Sequence, residues 1–200
     1  GVTGEKPVVH GLSLQVRRGE ILGVAGVAGN GQVELARAIM GLTPALSGAV
    51  EINGVDVSNG STRARRNAGI AYIPEDRRGV GSALEADAVA NLAMGHHRSS
   101  QLSKRGILYP RKMVQFASEL IRRFGVKISS PKTLVSTLSG GNLQKIVVDR
   151  ELDYDAPVLI AEQPTRGVDI GAIEAIHREI TDYRDRGRGV LLISAELSEI

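Results

Sequence analysis

Two short segments carry residue types at spacings that can do chemistry. In Gly26-Val27-Ala28-Gly29-Asn30-Gly31, Gly26 and Gly31 flank four residues between an apolar run and a helix-forming run. In such a frame, backbone N–H groups point inward and cradle phosphate oxygens, and the helix N-terminus adds partial positive charge. The frame ordinarily continues with Lys and then Ser or Thr. Here Gln32 and Val33 stand at those positions. Gln32 keeps donors without a charge, and Val33 has no oxygen to offer a metal ion. A structural glycine turn explains this segment as well as a phosphate site does. The second segment is Leu138-Ser139-Gly140-Gly141-Asn142-Leu143-Gln144-Lys145. Ser139 is placed to cap the next helix, and the two glycines let the backbone come close to a ligand.

The elements that must position these segments are legible around them. Glu20–Ala25 reads as a short buried strand entering the first glycine turn, and Val33–Met40 as the helix leaving it, with Gly41 as its stop. Pro157–Ala161 is a second apolar strand, ending in Glu162-Gln163-Pro164-Thr165. Ala172–Arg186 follows as a helix with Ile173, Ile176, Ile180 and Tyr183 on one face, and Gly187 ends it. Gly189–Ser194 is a last buried strand. Continuous apolar strands separated by amphipathic helices predict an α/β fold with a mainly parallel sheet. The stretch 84–138 carries little strand signal, and its helix Arg111–Phe124 places Met113, Ala117, Leu120, Ile121 and Phe124 on one side. It is expected to be a mainly helical insertion between core segments 1–83 and 139–200.

Composition narrows the class. The chain has 200 residues, 42% hydrophobic and 24% charged, which suits one domain with a real core and argues against disorder. There are no cysteines, which excludes disulfides and thiolate metal sites. Aromatic residues make up 3% and Trp is absent, so a stacking platform for single-stranded nucleic acid is not expected. No apolar run approaches the ~18 residues of a membrane span. The net charge is +3, with basic residues in short clusters: Arg63, Arg65 and Arg66; Arg77 and Arg78; Lys104 and Arg105; Arg111 and Lys112; Arg122 and Arg123. These read either as a solvated basic face or as a surface facing anionic headgroups or phosphate. The first and last strand-like segments lie close to the chain ends, and the chain is expected to be a piece of a longer polypeptide.

The segment Leu138–Lys145 closely resembles the signature motif of the ABC-type ATPases, and the resemblance extends over nearly the whole chain. Gly69-Ile70-Ala71-Tyr72-Ile73-Pro74-Glu75-Asp76-Arg77 is similar to their Q-loop segment, with Glu75 where Gln is usual. Val158–Thr165 resembles the Walker B strand, Thr165-Arg166-Gly167-Val168-Asp169 the D-loop, and Ile193-Ser194-Ala195-Glu196-Leu197 the H-loop. The resemblance implies a P-loop NTPase fold of the ABC type with a helical subdomain at 84–138. Asn142-Leu143-Gln144-Lys145, Pro74–Arg77, Pro164–Asp169 and the Gly-Asn-Gly-Gln loop narrow it further. They are similar to the second, C-terminal ATPase domain of the subunits that power simple-sugar and purine-nucleoside importers.

By that resemblance, Gly26, Gly29, Asn30, Gly31, Gln32, Val33 and Glu75 are expected to face ATP. Glu162 and Glu75 are the expected contacts for Mg²⁺. Leu138, Ser139, Gly140, Gly141, Asn142 and Gln144 form the signature, and Asp169 belongs to the D-loop. The catalytic positions depart from the family pattern. Glu162 stands at the Walker B Asp, Gln163 at the catalytic Glu and Ala195 at the H-loop His. Gln163 can orient a water but cannot take its proton, and a general base is typically worth ~10²–10⁴-fold. The expectation is an asymmetric role: an own site that hydrolyses ATP slowly or not at all, beside a signature that completes a partner domain's site.

The implied partners are the N-terminal ATPase domain of the same subunit, transmembrane permease subunits and, indirectly, a solute-binding protein. The implied place is the cytoplasmic face of the membrane. Rival readings are a scaffold that binds no nucleotide and a soluble ABC-type ATPase acting on nucleic acid. Asp169 also reads as a simple helix cap. His96-His97 reads as a solvated loop rather than a metal site, and His177 as a boundary residue.

Overall fold

Runs of Val, Ile, Leu and Ala too short for helices become the inner strands of one sheet. The computed structural model describes residues 8–27, 29–97, 99–196 and 199. Strand β1 (Ile21–Ala25) leads through the glycine loop into helix α1 (Gln32–Met40). A hairpin of β2 (Glu51–Ile52) and β3 (Val55–Asp56) follows, then α2 (Thr62–Ala68) and β4 (Ile70–Ile73). Next come α3 (Ala88–Ala93), a hairpin of β5 (Ser103–Lys104) and β6 (Ile107–Leu108), and α4 (Pro110–Arg123). A 3₁₀ turn at Val135–Thr137 precedes α5 (Gly140–Asp153), β7 (Val158–Glu162), α6 (Ile170–Asp185) and β8 (Gly189–Ser194).

The four-stranded sheet has the order β1-β8-β7-β4. Both β1 and β7 run parallel to β8, with Ile21 opposite Val190 and Val158 opposite Gly189. Strands β4 and β8 are buried along their whole length, which is why their sequences lack polar alternation. The core over this sheet gathers Ala36 and Met40 of α1 with Ile52, Val57, Ile70, Tyr72, Ile160, Leu191 and Ile193.

The chain forms two compact units. One holds the described residues up to Tyr72, Ala156–Gln163 and the described residues from Asp182 on. The other holds Ile73–Asp155 and Pro164–Thr181. The stretch expected to be mainly helical does carry α3 and α4, but it also contains the β5–β6 hairpin.

Helix α1 ends where a side chain from elsewhere takes over its last carbonyls. Gly41 adopts the left-handed conformation at φ 69°. The Arg65 guanidinium donates to the carbonyls of Ala38 at 2.6 Å and Ile39 at 2.7 Å, and to those of Ser58 and Gly60. A cation at a helix C-terminus satisfies orphan carbonyls and complements the helix dipole. Arg65 is only 3% exposed, so this member of the basic clusters is a structural brace and not part of a solvated face. His96 likewise leaves the solvated-loop reading. Its ring lies 5.1 Å from that of Phe116 and its Nε2 is 3.2 Å from the Arg150 carbonyl. Among the described residues no group of His, Cys, Asp and Glu is arranged to hold a metal ion.

Candidate functional site

The glycine loop lies between β1 and α1, the order a phosphate cradle requires. Gly29 and Gly31 hold φ values of 93° and 97°, a backbone region that side-chain-bearing residues rarely enter. Gly31 is also crowded: a Cβ there would meet Val9 Cγ2 at 3.1 Å. Ala28 lies outside the described residues. Gln32 does not project outward from the helix start. Its Nε2 donates to the Val27 carbonyl at 3.0 Å, and its Oε1 accepts from the Asn30 amide at 3.1 Å. A Cβ at Gly26 would collide with that same Nε2. The Gln32 amide thus fills the inner side of its own loop and supplies the acceptor for the Asn30 amide. Gly31, the N-cap of α1, supplies no side-chain cap, and the amides of Gln32 and Val33 have no acceptor among the described residues.

The end of β7 brings Glu162 beneath α1. Glu162 is 2% exposed; one carboxylate oxygen accepts from the Tyr72 hydroxyl and the other is buried without a partner. Burial pushes its carboxyl up to about 7; the Tyr72 hydroxyl and Arg37 act the other way, and Glu34 adds to the rise. Burial, and then Glu162 itself, raises the Tyr72 phenol well above its ordinary value. Gln163, next in the chain, is held at φ 46° although it is not a glycine. Its amide oxygen accepts from the Ala195 amide at 3.3 Å and the Ser194 hydroxyl at 3.5 Å. So Gln163 and Ala195 do come together, but through the backbone of Ala195. A left-handed non-glycine residue just past the end of an inner strand costs on the order of 1–3 kcal/mol, which its surroundings must offset.

Of the two residues expected to hold Mg²⁺, Glu162 fits in part, as a buried carboxylate with one uncommitted oxygen. Mg²⁺ bound alongside nucleotide needs few protein ligands, because waters and phosphates fill the rest. Glu75 does not fit: its carboxylate is paired with the Arg166 guanidinium.

The signature segment is built on a different plan. Ser139 has extended backbone angles and is the N-cap of α5, its hydroxyl accepting from the Asn142 amide at 3.4 Å and Asn142 Nδ2 at 3.0 Å. Asn142 in turn accepts from the Lys127 amide at 2.7 Å. Leu138 closes the preceding 3₁₀ turn. Ser139 is exposed, and the amides of Gly140 and Gly141 have no acceptor among the described residues. Both glycines are also needed by their neighbours. A Cβ on Gly141 would stand 2.8 Å from Asp169 Oδ2, and one on Gly140 would stand 3.0 Å from Arg77 Nη2. Asp169 caps α6, accepting from the Ala172 amide at 3.0 Å. Gln144 is buried and donates to the Pro164 carbonyl at 2.7 Å, which ties α5 to the segment after β7.

Sequence reasoning missed Arg77 and Arg166 as site residues. Arg77 donates to the Arg166 carbonyl at 2.6 Å and to the Gly167 carbonyl at 3.3 Å, and Arg166 pairs with Glu75. The segments Pro74–Arg77 and Pro164–Gly167 are therefore clipped together. The signal was their placement: each Arg sits in a glycine- or proline-bounded loop next to a segment expected to be functional.

A sheet in which β1 feeds a glycine loop into a helix, with a Ser-Gly-Gly-capped helix before β7, defines the ABC-type P-loop ATPase fold. An ATP-binding cassette solved as a dimer after hydrolysis, bound to ADP and phosphate, has this fold. It matches 96% of this chain and 82% of its own with a TM-score of 0.82, at 19% identity. The ABC transporter family matches residues 9–166, most of the chain, and the chain belongs to that family. It is 44% identical over 192 residues to the nucleoside import ATP-binding protein NupA of Lactococcus lactis, covering 96% of this chain and 38% of that protein. It is 42% identical over 191 residues to the glucose import ATP-binding protein TsgD13 of Haloferax volcanii, covering 94% of this chain and 35% of that protein. The chain thus spans well under half the length of these curated relatives.

Proposed function

We propose that this chain is a nucleotide-binding domain of an ATP-driven importer for simple sugars or nucleosides. In this reading it is the second, C-terminal ATPase domain of its subunit and works against permease subunits at the cytoplasmic face of the membrane. Its two halves of chemistry are unequal. The glycine loop offers the open amides of Gln32 and Val33 to nucleotide phosphates, without the charge of a Lys or the oxygen of a Ser or Thr. Bound Mg²⁺ would neutralise phosphate charge, with Glu162 as the protein's carboxylate contact. Gln163 positions without accepting a proton, and Ala195 adds no side-chain donor. Hydrolysis at this loop is therefore slow or absent.

The signature keeps what it needs. Ser139 is exposed at the head of α5, beside two glycine amides that await an acceptor. The exposed Ser139 is the observation that carries the reading, together with these two amides, which have no acceptor among the described residues. In the assembled transporter these groups would meet the terminal phosphate held by the partner domain's loop. Importer function is supported by the names of the relatives, which are nucleoside and glucose import proteins. The test is Ser139→Glu in the assembled transporter. The proposal expects ATP hydrolysis to fall by at least about 10²-fold, the scale on which a preorganised donor acts. Unchanged turnover would refute it.

A further inference from the structure

Residues 88–118 contain no Asp or Glu, yet hold Arg98, Lys104, Arg105, Arg111 and Lys112. That stretch alone outweighs the net charge of +3 carried by the whole chain. Its described part converges on the β5–β6 hairpin and the first turn of α4. The hairpin pairs Ser103 with Leu108 and Lys104 with Ile107, and turns through Arg105 and Gly106 at φ 52° and 83°. Its root is anchored: Leu102 is buried, and its carbonyl accepts from the Tyr109 amide at 2.9 Å. Its tip is not. Ile107 is 69% exposed and Leu108 41% exposed, beside the exposed Lys104 and Arg105.

Folding explains neither feature. Two-residue strands with outward aliphatic side chains gain nothing from a core. Arg111 and Lys112 stand in the first turn of α4, where no acidic residue accompanies them. The positive end of a helix dipole disfavours cations there. Lys112 Nζ lies 4.9 Å over the ring of Tyr109, so an amphipathic aromatic completes the patch. Aliphatic tips do not stack on bases, which disfavours nucleic acid. Aliphatic side chains ringed by Lys, Arg and Tyr match the boundary between acyl chains and anionic headgroups.

We propose that the β5–β6 hairpin and the first turn of α4 dock on anionic lipid headgroups. Ile107 and Leu108 enter the headgroup boundary, and Lys104, Arg105, Arg111 and Lys112 face lipid phosphates. The inference rests on this hairpin alone and involves neither nucleotide nor transport, so it fails or stands apart from the importer reading.

The experiment is flotation of the full-length polypeptide with phosphatidylcholine vesicles, with and without phosphatidylglycerol, at low and high salt. Binding is expected only to the phosphatidylglycerol vesicles and is weakened by salt. K104E/R105E removes two basic residues, each worth about fivefold near an anionic surface, and should weaken binding by about 30-fold or more. I107S should weaken it several-fold at unchanged charge, while R17E/R18E, a matched reversal at exposed residues elsewhere, should leave it intact. The inference is overturned if K104E/R105E floats like the unaltered protein or if R17E/R18E lowers binding equally. Flotation that requires a reconstituted membrane protein would also overturn it, by assigning the hairpin to a protein partner.

Discussion

At the glycine loop the side chains that could do chemistry turn inward. Gln32 spends both ends of its amide on Val27 and Asn30 of its own loop. Gln163 spends its oxygen on Ser194 and Ala195. At the head of α5 the arrangement differs: the exposed Ser139 secures the Asn142 amide, while the amides of half-buried Gly140 and buried Gly141 have no acceptor among the described residues. Both regions keep two amides without an acceptor among the described residues, but the first braces its loop from inside with a side-chain amide and the second presents an exposed serine beside them. The difference teaches that losing a motif's reactive residues need not collapse its loop, because an uncharged amide can brace the same glycine frame from inside.

The comparison can be attacked on several scales. The largest effect is the loss of hydrolysis expected for Ser139→Glu, where the exposed cap is blocked. The next separates the reasons for the glycines. Gly31 needs its freedom for its own backbone, at φ 97° in a buried position. Gly31→Ala should cost about 2 kcal/mol in chemical denaturation, from its left-handed backbone and the crowding by Val9 together. Gly141 needs its freedom for Asp169, so Gly141→Ala should cost about 1 kcal/mol and be partly restored in the double variant with Asp169→Ala. Equal costs with additive behaviour at both sites would erase the distinction.

The signature unit also carries an internal strain on stability. Asp149 of α5 is 2% exposed, and its Oδ2 is buried without a partner. Burial, and then the nearby Glu179, raises its carboxyl well above the ordinary range, against the opposing pull of Lys145 and Arg123; Asp153 adds to the rise. Between about pH 4 and that raised value, the native state keeps a proton the unfolded chain has released, so stability falls as pH rises. Asp149→Asn should flatten that slope and stabilise the protein by roughly 1–2 kcal/mol above neutrality. Thermal denaturation across pH checks it, and an unchanged slope would refute it. The smallest effect belongs to Gln32→Ala. It should lower stability by about 0.5–1 kcal/mol while speeding hydrogen exchange at the Asn30 amide, whose acceptor is lost.

Much of the frame was legible before any coordinates. The last strand, Gly189–Ser194, coincides with its apolar run, and α4 lies one residue from its predicted span. Ser139 caps α5 as its spacing predicts. These are local matters of period and capping, which a sequence displays directly. The hairpin at Glu51–Asp56 was equally local and was overlooked. Asn53 and Gly54, both at positive φ, are the preferred pair for its two-residue turn.

What could not be read depended on distant partners. Arg65 is buried because the carbonyls ending α1 need it, a bond across 27 residues. Glu162 owes its raised carboxyl to burial, and its bonded oxygen to Tyr72 across 90 residues. The folding-back of Gln32 was open to either outcome, since an amide at a helix start can point outward or onto its own loop. Only packing around Gly26 and Gly31 decides it.

The most direct test of the unequal-halves account is a calorimetric titration of Mg-ATP into this chain, with phosphate release followed in the same sample. The account predicts a binding heat, from phosphates on the open amides of Gln32 and Val33, and no phosphate release above background. Sustained phosphate release by the chain alone would contradict it, and would make Glu162, with its carboxyl near 7, the first residue to replace.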